Sequence, residues 1–196
     1  MTINTAGAVL AGGRSSRYGL PKMFELYHGK PLYQYSLDAF KEAGIQERYI
    51  ITNNQLADRF DSRLASIVIE PAPFSGPLFG LKEALRQVEP DSWLFLLAAD
   101  IPFVTPEFVA SCLKKQRPLW INRRLFLFPE AGSSRCTVFI ILPACLPLTG
   151  PDRKSSMKAL LDEVSVLYVD YPRVRKILLI LTGPKTGNAL KKRQAK

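Results

Sequence analysis

A run of seven consecutive apolar residues, Trp93 to Ala99, constrains the fold of this chain more than any other feature. A strand of this composition has no polar face, so it needs cover on both sides, as at the centre of a sheet flanked by helices. Shorter apolar runs predict three more strands: Thr5–Leu10, Arg48–Thr52 and Ser66–Ile69. Helical spacing and start signals predict three intervening helices: after Pro31, over Leu78–Val88 and after Thr105. Strands that alternate with helices predict an α/β fold, a Rossmann-like, mostly parallel sheet flanked by helices.

The length of 196 residues suits one domain, and residues 1–172 are predicted to form it. Within it, residues 117–150 are atypical because their apolar runs and prolines follow no clear period. Residues 173–196 carry eight basic and no acidic side chains and therefore most of the net charge of +10. This basic tail is predicted to be disordered or aberrant, and a local shift of the reading frame is one hypothesis for its composition.

The sequence also argues against several classes of protein. No apolar run reaches the roughly 18 residues of a membrane-spanning helix. A secretory signal has a basic residue ahead of its apolar run, and none precedes the first apolar run here. The three cysteines show no CxxC spacing, so we expect reduced thiols in a cytoplasmic protein without a membrane partner. Residues 1–116 hold 12 basic and 12 acidic side chains, which argues against a nucleic-acid-binding domain.

Polar and glycine-rich segments follow four of the predicted strands. They are the loop that begins at Ala11, Asn53, the loop over residues 71–80, and Asp100. Parallel strands place their carboxyl ends at one edge of the sheet, and ligands of such folds bind there. The sequence therefore predicts that these segments share one site.

The glycine-rich segment has the sequence LAGGRSSRYG, from Leu10 to Gly19. Glycines allow backbone N–H groups to approach phosphate oxygens, and Arg14, Arg17 and Lys22 would neutralise a polyphosphate. Neither a Walker loop nor a GxGxxG fingerprint is present, so this is a different phosphate-binding loop. The alternative is an ordinary strand-to-helix turn with solvated arginines.

Two acidic residues are further candidates. Asp100 directly follows the apolar strand, where a carboxylate can hold Mg²⁺ that bridges phosphate oxygens; a loop-forming or helix-capping aspartate is equally compatible. Glu70 precedes the segment Gly76-Pro77-Leu78-Phe79-Gly80, which could close over a base while the carboxylate accepts N–H donors. An ordinary loop explains that segment as well, and Asn53 is equally a turn-forming residue.

Taken in order, LAGGRSSRYG with Lys22, Asn53, GPLFG and AADIPF resemble the molybdenum cofactor guanylyltransferases, the MobA-like proteins, over about residues 6–115. The resemblance implies the nucleotide-diphospho-sugar-transferase-like form of the fold. It also implies that GTP contacts the following residues: Leu10, Ala11, Gly12, Gly13, Lys22, Asn53, Glu70 and Gly76. Glu70 departs from the family, which usually has an aspartate at this distance before the loop.

The same resemblance implies the reaction. GMP from GTP would be transferred to molybdopterin carrying molybdenum, with release of pyrophosphate, and molybdoenzyme maturation proteins would be further partners. Mg²⁺ bound by Asp100 is the implied cofactor, with Lys22 and Arg14 as the other catalytic residues. Two segments depart from the family, because 117–150 lacks its character and the tail lacks an Asn-x-Asn-Thr-Pro-like segment.

Three alternatives remain open from the sequence. A related cytidylyl or sugar-1-phosphate nucleotidyltransferase shares the glycine loop and the strand-end aspartate. A non-catalytic nucleotide-binding homologue is compatible with the atypical C-terminal third. An RNA-binding protein would use the basic tail at 173–196 for salt-sensitive contacts with phosphates.

Overall fold

The computed structural model describes residues 4–13, 21–72, 75–116, 125–127, 140–143 and 166–168. The strands in this part of the chain are β1 Thr5–Leu10, β2 Leu26–Tyr27, β3 Lys30–Pro31, β4 Arg48–Thr52, β5 Ser66–Ile69, β6 Trp93–Ala98, β7 Leu125–Leu127, β8 Ile140–Pro143 and β9 Val166–Tyr168. The helices are α1 Leu32–Glu42, α2 Pro77–Leu85 and α3 Pro106–Gln116, with short 3-10 turns at Lys22–Phe24 and Ala57–Arg59.

Seven of these strands form one sheet, in the order β5-β4-β1-β6-β8-β7-β9. β1 pairs in parallel with both β4 and β6, and β4 pairs in parallel with β5. β8 runs antiparallel to its neighbours β6 and β7, while β7 and β9 are parallel. The predicted α/β fold with a mostly parallel sheet is confirmed.

The two faces of β6 pack against different helices. Trp93, Phe95 and Leu97 belong to the same core cluster as side chains from α1 and α3. Leu94 and Leu96 belong to a second cluster with side chains from α2. All five side chains are at most 1% exposed, which confirms that the apolar run forms a central strand covered on both faces.

Most element boundaries agree with the sequence signals. α1 follows Pro31 and ends just before Gly44, whose φ of 88° lies in the left-handed region that favours glycine. α3 begins at Pro106, and Thr105 caps it by accepting a hydrogen bond from the Phe108 N–H at 3.2 Å. α2 ends at Leu85, three residues before the predicted end.

The sequence did not predict β7 and β8, which lie in the atypical segment 117–150. Strands of three and four residues show too few alternations to reveal a period, so their pairing depends on the neighbouring strands. The sequence also predicts a strand over Val164–Val169, and β9 lies inside it. A helix that the sequence predicts over Met157–Glu163 lies outside the described residues, as does the basic tail at 173–196.

Three further features concern the histidine, a buried cysteine and the length of the helices. The sequence Tyr27-His28-Gly29-Lys30 predicts that His28 is a surface residue in a turn, and His28 is exposed in the two-residue turn between β2 and β3, with a φ of 48°. Cys112 is buried and is not part of a disulfide bond. In the described part of the chain, none of the helices is long and apolar enough to cross a membrane.

The cap of α3 gives a first prediction. Thr105 is exposed, so Thr105→Ala removes a hydrogen bond to the helix without opening a cavity. We expect the free energy of unfolding to fall by about 1 kcal/mol, which lowers the melting temperature by about 2–4 °C. Thr105→Ser keeps the hydroxyl and should stay close to the wild type. Equal loss of stability in both variants, measured by thermal unfolding, would contradict the capping role.

Candidate functional site

Four neighbouring strands bring the sequence-predicted residues to one edge of the sheet. Glu70 follows β5, Asn53 follows β4, Ala11 follows β1, and Asp100 lies two residues beyond the end of β6. These strands are parallel, so their carboxyl ends all meet at this edge. With a strand spacing of about 4.8 Å, the ends of β5 and β6 are about 14 Å apart. The edge is long enough for an extended ligand.

Hydrogen bonds from both neighbours fix the start of the glycine-rich loop. The Ala11 N–H donates to the Ile51 carbonyl at 2.8 Å, and the Thr52 hydroxyl donates to the Ala11 carbonyl at 3.1 Å. On the other side, the Ala99 N–H donates to the Leu10 carbonyl at 3.0 Å. The glycine loop therefore leaves the sheet beside the segment that carries Asp100.

Asn53 shapes the same loop. Its side chain is fully buried, and its amide nitrogen donates to the Gly12 carbonyl at 3.3 Å. Its side-chain oxygen accepts the Gln55 N–H at 3.0 Å, which closes a local turn. These contacts hold Gly12 in place; direct contact of Asn53 with a nucleotide stays a prediction.

Glu70 places a carboxylate between two glycines. The side chain is 6% exposed, and a Cβ built at Gly12 or Gly80 would lie 3.0 or 2.7 Å from its Oε1 atom. Among the described residues, none donates a hydrogen bond to its carboxylate oxygens, and buried polar groups normally have such partners. Glu70 is therefore a buried acceptor to which a ligand could donate.

The surroundings of Glu70 favour its protonated form. Burial raises the pKa of the Glu70 carboxyl above its ordinary value of 4.5, and the negative charge of Glu83 adds to the rise. Glu83 is itself buried but forms an ion pair with Arg86. Of the two carboxylates, Glu70 at the sheet edge is the one to which the described residues offer no ion pair.

Asp100 is exposed, and the turn after it is anchored by Ile101, which is 4% exposed. Within the described residues, no group of three His, Cys, Asp or Glu side chains could hold a metal ion. Mg²⁺ commonly binds through one or two carboxylates together with water and substrate phosphates. A single exposed carboxylate beside a glycine-rich loop fits that kind of site.

Lys22 begins a 3-10 turn that packs on α1. Met23 is buried there, and the ring of Phe24 lies 6.0 Å from that of Tyr33 on the helix. The helix is tied to the end of β6 by the Ser36 hydroxyl, which donates to the Ala98 carbonyl at 3.3 Å. Lys22 is thus carried by an element fixed to the strand that precedes Asp100.

Two further predicted residues are Gly76 and Arg14. Gly76 is the exposed residue preceding α2, with a φ of 93°, and its carbonyl accepts hydrogen bonds from the Phe79 and Gly80 N–H groups at 3.1 and 3.4 Å. Arg14 lies outside the described residues, as does Arg17. Their roles at the site stay predictions.

Gly80 lies against Glu70, a proximity that the sequence did not predict. The sequence places Gly80 at the end of the GPLFG motif and within the helix predicted over Leu78–Val88, and the structure adds the close approach of α2 to Glu70 at this residue. An isolated glycine within a helical pattern indicates a close packing contact, and this signal was available at Gly80.

Known proteins match this chain in sequence and in fold. The family model described as "MobA-like NTP transferase domain" matches residues 7–150, so the resemblance extends beyond residue 115 into the segment that we considered atypical. A Bacillus cereus (strain G9842) protein named "Probable molybdenum cofactor guanylyltransferase" is 32% identical over 175 residues, which cover 84% of this chain and 82% of that protein.

One further relative matches only part of this chain, whereas a solved structure matches nearly all of it. A protein of the same name from Geobacillus sp. (strain WCH70) is 34% identical over 112 residues, and the matched part of the chain spans only 56% of that relative's length. The crystal structure of molybdopterin-guanine dinucleotide biosynthesis protein A from Archaeoglobus fulgidus superposes with a TM-score of 0.67 over 95% of both chains. At 20% identity, this likeness shows a shared fold.

The raised pKa of Glu70 gives a prediction for stability. When a carboxyl has a higher pKa in the folded chain than in the unfolded chain, the free energy of unfolding falls as the pH rises between the two values. Above the raised pKa, Glu70 is ionised in the folded wild type, and this lowers the free energy of unfolding by the full amount. Glu70→Gln has no carboxyl group to ionise and avoids this loss. We expect the variant to gain stability over the wild type as the pH rises from 4.5, and the gain then to level off.

Chemical unfolding of both proteins across this pH range measures the difference. Glu89→Gln is the matched control, because Glu89 is exposed and its substitution should leave no comparable trend. The gain in the free energy of unfolding of Glu70→Gln over the wild type should increase with pH. A gain that is independent of pH, or that is larger at acid pH, would contradict the raised pKa of Glu70.

Proposed function

The chain belongs to the family of MobA-like NTP transferase domains, and we propose that it transfers GMP from GTP to a phosphate of molybdopterin, with release of pyrophosphate. The observation that carries the proposal is the order of groups along the sheet edge. A buried acceptor, Glu70, lies at one end, the glycine loop follows, and Asp100 lies beyond it. That order matches the base, the phosphates and the metal of a nucleotide bound along the edge.

The choice of guanine rests on Glu70. Guanine presents a ring N–H and an amino group side by side, so a carboxylate can accept both in a bidentate pair. Adenine and cytosine each present one amino group beside an acceptor nitrogen, and uracil presents one ring N–H. A buried carboxylate is unfavourable without donors, and the described residues give Glu70 none, so binding of guanine would supply hydrogen bonds that this carboxylate lacks.

The phosphates are assigned to the glycine loop. Among the described residues, none has an atom within 4 Å of a Cβ built at Gly13, so this part of the structure leaves the backbone there open to a ligand. Backbone N–H groups of such loops bind phosphate oxygens, and Lys22 adds positive charge. Mg²⁺ held by Asp100 would neutralise charge on the triphosphate and the acceptor phosphate.

In the proposed reaction, an oxygen of the acceptor's terminal phosphate attacks the α-phosphorus of GTP. The bond from the α-phosphorus to the oxygen that bridges it to the β-phosphate breaks, and pyrophosphate leaves with that electron pair. The protein acts by positioning and by charge stabilisation: Glu70 orients the base, Gly12 and Gly13 fix the phosphates, and Lys22 stabilises developing negative charge. The acceptor is assigned from the names of the relatives.

Asp100→Ala tests the catalytic part of the proposal. With GTP, Mg²⁺ and molybdenum-loaded molybdopterin, we expect pyrophosphate release by the variant to fall about 100-fold or more, because an electrostatic group at the reacting phosphates is lost. Since Asp100 is exposed, the melting temperature should hardly change. Asp91→Ala is the matched control, being an exposed aspartate that precedes β6 at the opposite end of the strand.

Each other outcome has a defined meaning. Near-normal turnover in Asp100→Ala would remove the metal-binding role of this residue. Faster turnover of CTP or UTP than of GTP by the wild type would favour a cytidylyl or sugar-1-phosphate transferase. Nucleotide binding without pyrophosphate release would favour a non-catalytic homologue.

A further inference from the structure

The contact between helix α2 and Glu70 leaves no room for a side chain at position 80. A Cβ built on Gly80 would lie 2.7 Å from Glu70 Oε1 and 2.9 Å from Leu10 Cδ2, closer than such atoms approach. Glycine inside a helix is less favourable than alanine by about 1 kcal/mol. Helix propensity therefore does not explain Gly80, whereas the close approaches to Glu70 and Leu10 do.

The carboxylate is confined on its other side as well. A Cβ at Gly12 would lie 3.0 Å from Oε1 and 3.2 Å from Oε2 of Glu70. Gly12 is held in turn by Asn53 through its carbonyl oxygen. The Glu70 carboxylate thus lies between helix α2 and the fixed start of the glycine loop.

We infer that Gly80 is a specificity-determining positioning residue: its missing Cβ keeps the Glu70 carboxylate against Gly12, in the place from which it recognises the guanine base. Gly80 acts through Glu70 and does not itself need to touch the nucleotide. The inference rests on the proposed function, because it assumes that Glu70 accepts hydrogen bonds from the base.

The discrimination between GTP and ITP measures this role. ITP lacks the amino group of guanine, so it loses one hydrogen bond to a charged acceptor, and the wild-type protein should bind GTP about tenfold more tightly. Gly80→Ala displaces the carboxylate by adding one methyl group. We expect the ratio of the two dissociation constants, measured by calorimetry with Mg²⁺ and the full chain, to fall to about two or less.

Glu70→Asp supplies the matched rescue. Its side chain is one methylene shorter, so the carboxylate withdraws from α2. This relieves the closer of the two contacts with the added methyl group, at 2.7 Å, and leaves the one with the flexible end of Leu10. When Gly80→Ala is added to Glu70→Asp, the ratio of the dissociation constants for ITP and GTP should change less than twofold. The double variant should therefore distinguish GTP from ITP better than Gly80→Ala alone does. A general defect of the helix would reduce the binding of both nucleotides equally and would not be rescued.

The outcomes separate the inference from the proposed function. No preference for GTP over ITP in the wild type would overturn the assignment of Glu70 to guanine, and the inference with it. A wild-type preference that Gly80→Ala retains, or a loss that Glu70→Asp does not rescue, would overturn the inference alone. If Gly80→Ala does not fold, recovery of both the melting temperature and the GTP preference in the double variant supports the inference, and absence of either contradicts it.

Discussion

The parallel pairing of β1 with both β4 and β6 is the constraint on which the rest of the structure depends. It places the glycine loop between Asn53 on one side and the Asp100 segment on the other, before any side-chain contact is considered. The side chains of β6 alternate between the two faces of the sheet and are buried on both, where they pack against helices. Because those helices carry Gly80 and support Lys22, the core and the site are parts of one arrangement.

The second determinant is the burial of Glu70. The described residues neutralise Glu83 with Arg86, yet they offer no hydrogen-bond donor to the carboxylate of Glu70. A buried carboxylate without hydrogen-bond donors lowers the stability of the fold. Such a group has an explanation where a ligand supplies the missing donors. In the proposed function, the same property gives the site its preference for a base with two adjacent donors.

Much of this arrangement could be predicted from the sequence, for physical reasons. The apolar run that begins at Trp93 could be stable only as a central strand, covered on both faces. Thr105 and Pro106 are residue types that favour the N-cap and the first position of a helix, so two residues predict where α3 begins. β7 and β8 could not be predicted, because strands so short are specified by their partners. The contact of Glu70 with Gly80 joins a strand end to a later helix, so it required the packed fold. Asn53 was predicted as a ligand contact, whereas the structure adds a support for Gly12 that local sequence does not encode.

A crystal structure of the full chain with Mg²⁺ and a GTP analogue carrying a methylene group between the α- and β-phosphorus tests this arrangement directly. We expect the guanine edge on the Glu70 carboxylate, the phosphates along Gly12 and Gly13, and the metal on Asp100. A nucleotide bound away from this edge of the sheet would contradict the proposed function, and so would one bound in the reverse direction, with its base beside Asp100.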